Sequence, residues 1–294
     1  MAFYQKHPYL TFEQAIDYFS IYGGVEDSVG LEFFDDIFTL VERNFVDEFE
    51  TFANSISPSY LLDEPYSKLL TILAKGEGKL ISSLHKARLG ESSGMSILQE
   101  MIENEIIYIE KSRENPLKIH PKYKLKKELR RYKIQDKARF TLPFYRFWFG
   151  FVMPFYSELQ QGKSKNFMEY FKQHYERLRS LVFEQLSKDL LVEYFKDKDE
   201  IISCDSYWDK DNEFDILAVT KSHKIILAEC KYKDRKVCKN ELNKLKQKAS
   251  YSGIEVDKFV LFSKSGFSNE LKDTKKQNLL LFDMDDISKL FFAN

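Results

Sequence analysis

The stretch "EFDILAVTKSHKIILAECK", residues 213–231, constrains the fold more than any other part of the chain. Two short apolar runs rich in β-branched residues flank a polar "TKSH", the pattern of a β-hairpin. Strands made otherwise of Ile, Leu, Val and Ala nevertheless carry Asp215, Glu229 and Lys231. Reflection about the turn sets Asp215 opposite Ala228 or Glu229. Side chains alternate faces along a strand, so the pairing of 215 with 229 puts all three charges on one side.

Adjacent carboxylates repel and shift each other's pKa, and the pair is stable only with a cation or a proton between them. Hard oxygen ligands of this kind suit Mg²⁺ (or Mn²⁺), which needs one or two carboxylates and keeps several waters. Lys231, two residues beyond Glu229, would reach a water or a phosphate beside the ion. A divalent ion acidifies water and neutralises charge on a phosphate, so the grouping suits phosphodiester hydrolysis. The bland alternative is a pair of edge-strand charges with Lys231 as an ion-pair partner.

The rest of the chain reads as further units. With 43% apolar and 15% aromatic residues in 294, it can build more than one core. Phe33, Phe34, Ile37, Phe38, Val41, Phe45, Phe49 and Phe52 recur at helical spacing between acids, predicting an amphipathic helix after an earlier one over 12–22. Residues 1–55 form a first, all-helical segment. In 56–139, helices over 60–74, 80–86 and 95–104 precede two β-like stretches, "IIYIE" and "RYKIQD", the layout of a winged helix-turn-helix. Its third helix carries Glu100, Glu103 and Glu105, which favours the basic stretch after it as the part that would touch DNA. "LPFYRFWFGFVMPFY" lies within a buried aromatic connector over 140–165. From 166 on, a helix over 167–190, three strands, a basic helix over 239–250, two strands and a last helix predict an α/β domain with a central mixed sheet.

Charge is unevenly spread although the totals nearly cancel. Residues 1–66 hold thirteen acids and two basic residues, 111–139 twelve basic residues and three acids, and 231–248 eight basic residues and two acids. The two basic segments suit an anionic ligand, and the alternative is solvated helix faces. Cys204, Cys230 and Cys238 form no metal or disulfide pattern, which fits a reduced compartment. No signal-peptide pattern opens the chain, and the most apolar window is shorter than the about 20 residues of a membrane helix and contains Arg146. A cytoplasmic protein is expected.

Asp215, then Glu229-Cys230-Lys231 on the next strand, after a helix carrying Glu184 in "LVFEQL", resembles the PD-(D/E)XK nuclease superfamily, especially its Mrr-like and Holliday-junction-resolvase-like branches. The resemblance implies that Asp215 and Glu229 hold the metal, that Lys231 orients water, and that Glu184 supports the site. "QKASY" adds Gln247 and Tyr251 at the Q-x-x-x-Y spacing of some branches. Together with "LTFEQAIDYFSIYGG", "EPYSKLLTILAKGEGKLISSLHKA", "YKIQDKARFTLPFYRFWFGFVMP" and "WDKDNEFDILAV", these residues are similar to the C-terminal region of the archaeal-type, DEXX-box ATPase family. That likeness implies a helical lid-like subdomain, a winged helix and a restriction-endonuclease-like domain over 166–294.

The P-loop of that family has no counterpart in these residues: "SELQQGKS" has Ser157 where the first glycine belongs, and "GEGKL" fails too. ATP binding by this chain is therefore not expected. The five histidines are scattered, without zinc spacing, and His223 sits in the hairpin turn. The expectation is a Mg²⁺-dependent DNA endonuclease using Asp215, Glu229, Lys231 and Glu184. DNA phosphates would be gripped by Lys233, Arg235, Lys239, Lys244 and Gln247, and by Lys124, Lys126, Arg130 and Arg131. The rival expectation is a non-catalytic DNA-binding or protein-interaction module whose acidic head docks a separate ATPase subunit.

Overall fold

The computed structural model describes residues 2–27, 30–31, 36–115, 124–125, 127–274 and 278–292. It divides into two compact units, one of residues 1–111 and 135–179, the other of 112–134 and 180–294. The first is helical apart from a two-stranded ribbon, and the second is built on a five-stranded mixed sheet.

In the first unit, α1 (Phe12–Tyr22) starts at a capping box in which the Thr11 hydroxyl accepts from the Gln14 amide and the Gln14 side chain accepts from that of Thr11. The phenylalanine stripe is not one continuous helix. It runs as a helix over Ile37–Glu42, a π-helical turn over Arg43–Asp47 and a helix over Phe49–Ala53, while Phe33 and Phe34 lie outside the described residues. The wider turn accompanies a buried polar contact, Asn44 Nδ2 donating to the Tyr22 hydroxyl at 3.1 Å. Phe45 stacks on Tyr22 with ring centroids 5.8 Å apart and also meets Phe52 and Phe147.

The aromatic segment after residue 140 is itself helical, with Pro143 in the first turn, and Phe144, Phe147, Trp148 and Phe149 are buried in the core of this unit. Burying aromatics of this size contributes roughly 2–3 kcal/mol each, which is why so short a segment can centre a core.

Helices α2 (Tyr66–Lys75), α3 (Leu80–Ala87) and α4 (Glu91–Glu103) come next, then strands β1 (Ile107–Glu110) and β2 (Lys137–Phe140), paired antiparallel with Ile107 opposite Phe140. The second strand forms on "KARF", just beyond the expected "RYKIQD". Gly78, at φ +79°, lets the α2–α3 turn lie against β2, since a Cβ there would sit 2.5 Å from the Ala138 carbonyl oxygen. On α4, Glu100 accepts from the Tyr66 hydroxyl at 2.5 Å. The helix expected over 167–190 is two, α5 (Lys165–His174) and α6 (Glu176–Phe195), interrupted at Tyr175.

In the second unit the strand order is β3 (Ile201–Trp208), β4 (Glu213–Thr220), β5 (Ile225–Lys231), β6 (Lys258–Ser263), β7 (Leu279–Asp283). The first three strands run antiparallel and the last three parallel, so β5 is the strand where the two patterns meet. Parallel neighbours need a crossover, supplied between β5 and β6 by α7 (Lys239–Tyr251). Leu242, Leu245 and Ala249 of α7 pack with Leu217, Leu227, Phe259 and Leu261 of the sheet. No helix among the described residues is long and apolar enough to cross a membrane.

Candidate active site

The hairpin register is explicit: Ile216 lies opposite Ala228, Leu217 opposite Leu227 and Val219 opposite Ile225. Carried one residue further, it sets Asp215 opposite Glu229, the second of the two pairings open to the sequence. Alternation then assigns Asp215, Glu229 and Lys231 to the face that carries Leu217 and Leu227, the face covered by α7. The His223 turn closes the hairpin at φ +62°, at its opposite end.

Asp215 is tied to the neighbouring strand, its Oδ2 accepting from the Cys230 amide at 2.7 Å. Glu229 is only 8% exposed, so its charge must be balanced locally. Lys231 Nζ lies 2.5 Å from Glu229 Oε1, and Lys248 Nζ lies 3.5 Å from Oε2. Lys248 also donates to the Glu213 carbonyl at 3.2 Å and lies over the Phe214 ring, 5.9 Å from its centroid. Two ammonium groups thus bracket one buried carboxylate.

Burial, and after it the charges of Glu229 and Glu184, push the Asp215 carboxyl up to about 8, while the Cys230 amide pulls the other way. At neutral pH this carboxyl keeps a proton, chiefly because it is buried beside other acids. Glu184, half-buried on α6, belongs electrostatically to the same cluster. For Lys231 burial works against the ammonium, but the Glu229 carboxylate at hand outweighs it and the pKa ends above its ordinary value. Burial pushes the Cys230 thiol well above its usual range, which makes it an inert packing group.

Among the described residues no three His, Cys, Asp or Glu side chains form a ready-made metal cage. Two carboxylates side by side at the end of a hairpin nevertheless fit the modest protein ligand set of Mg²⁺, with water filling the remaining positions.

Beyond Lys231 the chain leaves the carboxyl end of β5, the edge at which ligands gather in sheets with parallel strands. A cleft of about 360 Å³ opens there, lined by Lys231, Lys233, Arg235, Lys236, Asn240, Glu241 and Lys244 among others. Lys239 is paired instead with Glu270 at 3.3 Å. Gln247 is exposed and donates to the Tyr251 hydroxyl at 3.1 Å, so the Q-x-x-x-Y pair bonds to itself on the solvent side of α7. Lys124, Arg130 and Arg131 are exposed and belong to the segment 112–134, in the same compact unit as Asp215 and Glu229. Lys126 lies outside the described residues. Arg113 anchors that segment by donating to the Leu217 carbonyl at 2.6 Å.

Lys248 is a neighbour of Glu229 that the sequence reading missed. The available signal was its place on α7: Glu241, Leu245 and Lys248 recur at i, i+4 and i+7, one helix face, and Leu245 is buried.

The model of the family DUF234, described as archaeal and bacterial proteins of unknown function, matches residues 148–245, a span that ends within α7 and includes Glu184, Asp215, Glu229 and Lys231. No curated protein matches the chain. No solved structure matches it either.

Proposed function

We propose that this protein is a metal-dependent deoxyribonuclease that hydrolyses phosphodiester bonds at the end of the β4–β5 hairpin. The observation that carries this reading is the union of Asp215, Glu229 and Lys231 at one sheet edge, with the Asp215 carboxyl raised to about 8 by burial and by its acidic neighbours. Asp215 and Glu229 would hold Mg²⁺ or Mn²⁺, which when bound would neutralise charge on the phosphate and acidify water.

The chain's own groups supply the rest. Lys231, held beside Glu229, offers an ammonium whose proton stays on at neutral pH, suited to positioning a water or stabilising a phosphate oxygen. Lys248 fixes the second oxygen of Glu229. Glu184 adds negative charge that strengthens cation binding. On this reading the second unit is restriction-endonuclease-like, the three helices with the β1–β2 ribbon in the first are a winged helix, and Lys124, Arg130 and Arg131, between the two strands in sequence, would meet DNA phosphates. A motor, where one is needed, would come from a separate ATPase subunit.

The test is incubation of the purified protein with supercoiled plasmid and with branched or single-stranded DNA, in Mg²⁺, Mn²⁺ or EDTA. Cleavage that requires metal and disappears in Asp215→Asn and Lys231→Met is the expected result. DNA binding without cleavage in either metal would replace this reading by a non-catalytic DNA-binding module.

A further inference from the structure

The cleft beyond β5 has a charge composition that the hydrolytic site does not use up. Five of its lining side chains are cations, Lys231, Lys233, Arg235, Lys236 and Lys244, against the single carboxylate Glu241. Glu241 is paired with Lys244 at 3.2 Å, and Lys231 is committed to Glu229. Lys233, Arg235 and Lys236 have no ion-pair partner closer than 4.0 Å among the described residues.

The loop that carries these three is held down. The Lys231 carbonyl accepts from the Lys264 amide, the Lys233 carbonyl from the Ser265 hydroxyl, and the Val237 amide donates to the Gly266 carbonyl. Asp234, between the cations, turns away to Lys264 at 2.7 Å. All three cations are exposed at the mouth of the cleft, where cations outnumber carboxylates, so the cleft favours an anion. The first turn of α7 opens on the same cleft, and its N-cap, Cys238, makes no side-chain bond to the orphan amides.

The distribution of the cations selects among anions. Tracking an internal backbone calls for cations strung along a groove with aromatic rings to stack the bases. Here the unpaired cations are concentrated in residues 233–236, and the lining contains no aromatic side chain. Such a concentration discriminates in favour of two charges on one phosphorus over one charge per phosphorus.

We infer that this cleft binds a terminal phosphomonoester, so that the adjoining hydrolytic site works next to a phosphorylated strand end. The position of that site rests on the nuclease reading, whereas binding of the phosphate does not need catalysis.

The experiment is fluorescence anisotropy in EDTA with short single-stranded oligonucleotides bearing a 5′-phosphate, a 3′-phosphate or two hydroxyl ends, with a nucleoside monophosphate as competitor. One phosphorylated strand should bind about ten-fold tighter than its hydroxyl-ended twin. The variant Lys233→Gln/Arg235→Gln/Lys236→Gln should lose that preference, its affinity for the phosphorylated strand falling about ten-fold further than its affinity for the hydroxyl-ended strand. The control Lys196→Gln/Lys210→Gln/Lys221→Gln, with the same net charge, should retain the preference. Whichever of the 5′ end, the 3′ end or the free nucleotide binds best identifies the source of the phosphate. Equal affinity for phosphorylated and hydroxyl-ended strands, or equal loss of both in the loop variant, overturns the inference. Loss of metal-dependent cleavage with the preference intact would instead overturn only the nuclease reading.

Discussion

Lys248 reaches from α7 to Glu229, its ammonium 3.5 Å from the carboxylate oxygen that Lys231 leaves free. If Lys248 positions Glu229, then Lys248→Met, which keeps the apolar stem beside Phe214, should lower cleavage about ten-fold and raise the metal concentration needed for half-maximal activity. A metal titration checks this. An unchanged midpoint would make Lys248 a packing residue only.

On the nuclease reading Lys231→Met should cost more, about 100-fold or greater in turnover, because its ammonium would serve the water and phosphate as well as Glu229. Lys231→Arg should recover part of the loss. Single-turnover rates at saturating DNA separate this effect from weakened binding.

Asp215→Asn should abolish cleavage and yet stabilise the metal-free protein near neutrality. The folded carboxyl titrates at about 8, far above the roughly 3.9 of an unfolded aspartate. Between those values the folded state holds a proton that the unfolded state has released, so parent stability is fully present below about pH 4 and declines as pH rises to about 8. Asparagine does not ionise and its amide oxygen still accepts from the Cys230 amide, so thermal melts in EDTA should show the variant's advantage growing from pH 5 to pH 8. An advantage that shrinks with pH would refute the assignment.

Arg113→Ala should loosen the segment 112–134. A charge-assisted bond of this kind contributes about 1.5–3 kcal/mol, so trypsin should cut the segment roughly ten-fold faster while the melting of the sheet changes little. Mass spectrometry of the first fragments reads this directly.

The hairpin was legible because turn length and alternation leave Asp215 only two possible partners, and both readings are local. The order of the five strands and the basic helix in the second unit was legible from alternation too, but the short helix Asn269–Asp273 between β6 and β7 was not. Among the features that were not, three have distinct physical reasons. The π-helical turn at Arg43–Asp47 keeps phenylalanines at spacings a plain helix would also give, so the apolar pattern does not reveal it. The helix face shared by Glu241, Leu245 and Lys248 is a local period, but that Lys248 meets Glu229 follows only from the docking of α7 on the sheet, a long-range fact. The segment 112–134 reads as a basic wing, but which unit it packs with depends on contacts such as that of Arg113 with Leu217, 104 positions along the chain.

That segment has a consequence for how the chain is made. Residues 112–134 are synthesised before every strand of the sheet unit they belong to, and Leu217, the anchor of Arg113, follows much later. On either side of the segment lie β1 and β2, which pair with each other in the first unit. A fragment beginning at Ser180 would leave residues 112–134 out altogether, so the second unit is a discontinuous domain that such an N-terminal truncation cannot reproduce.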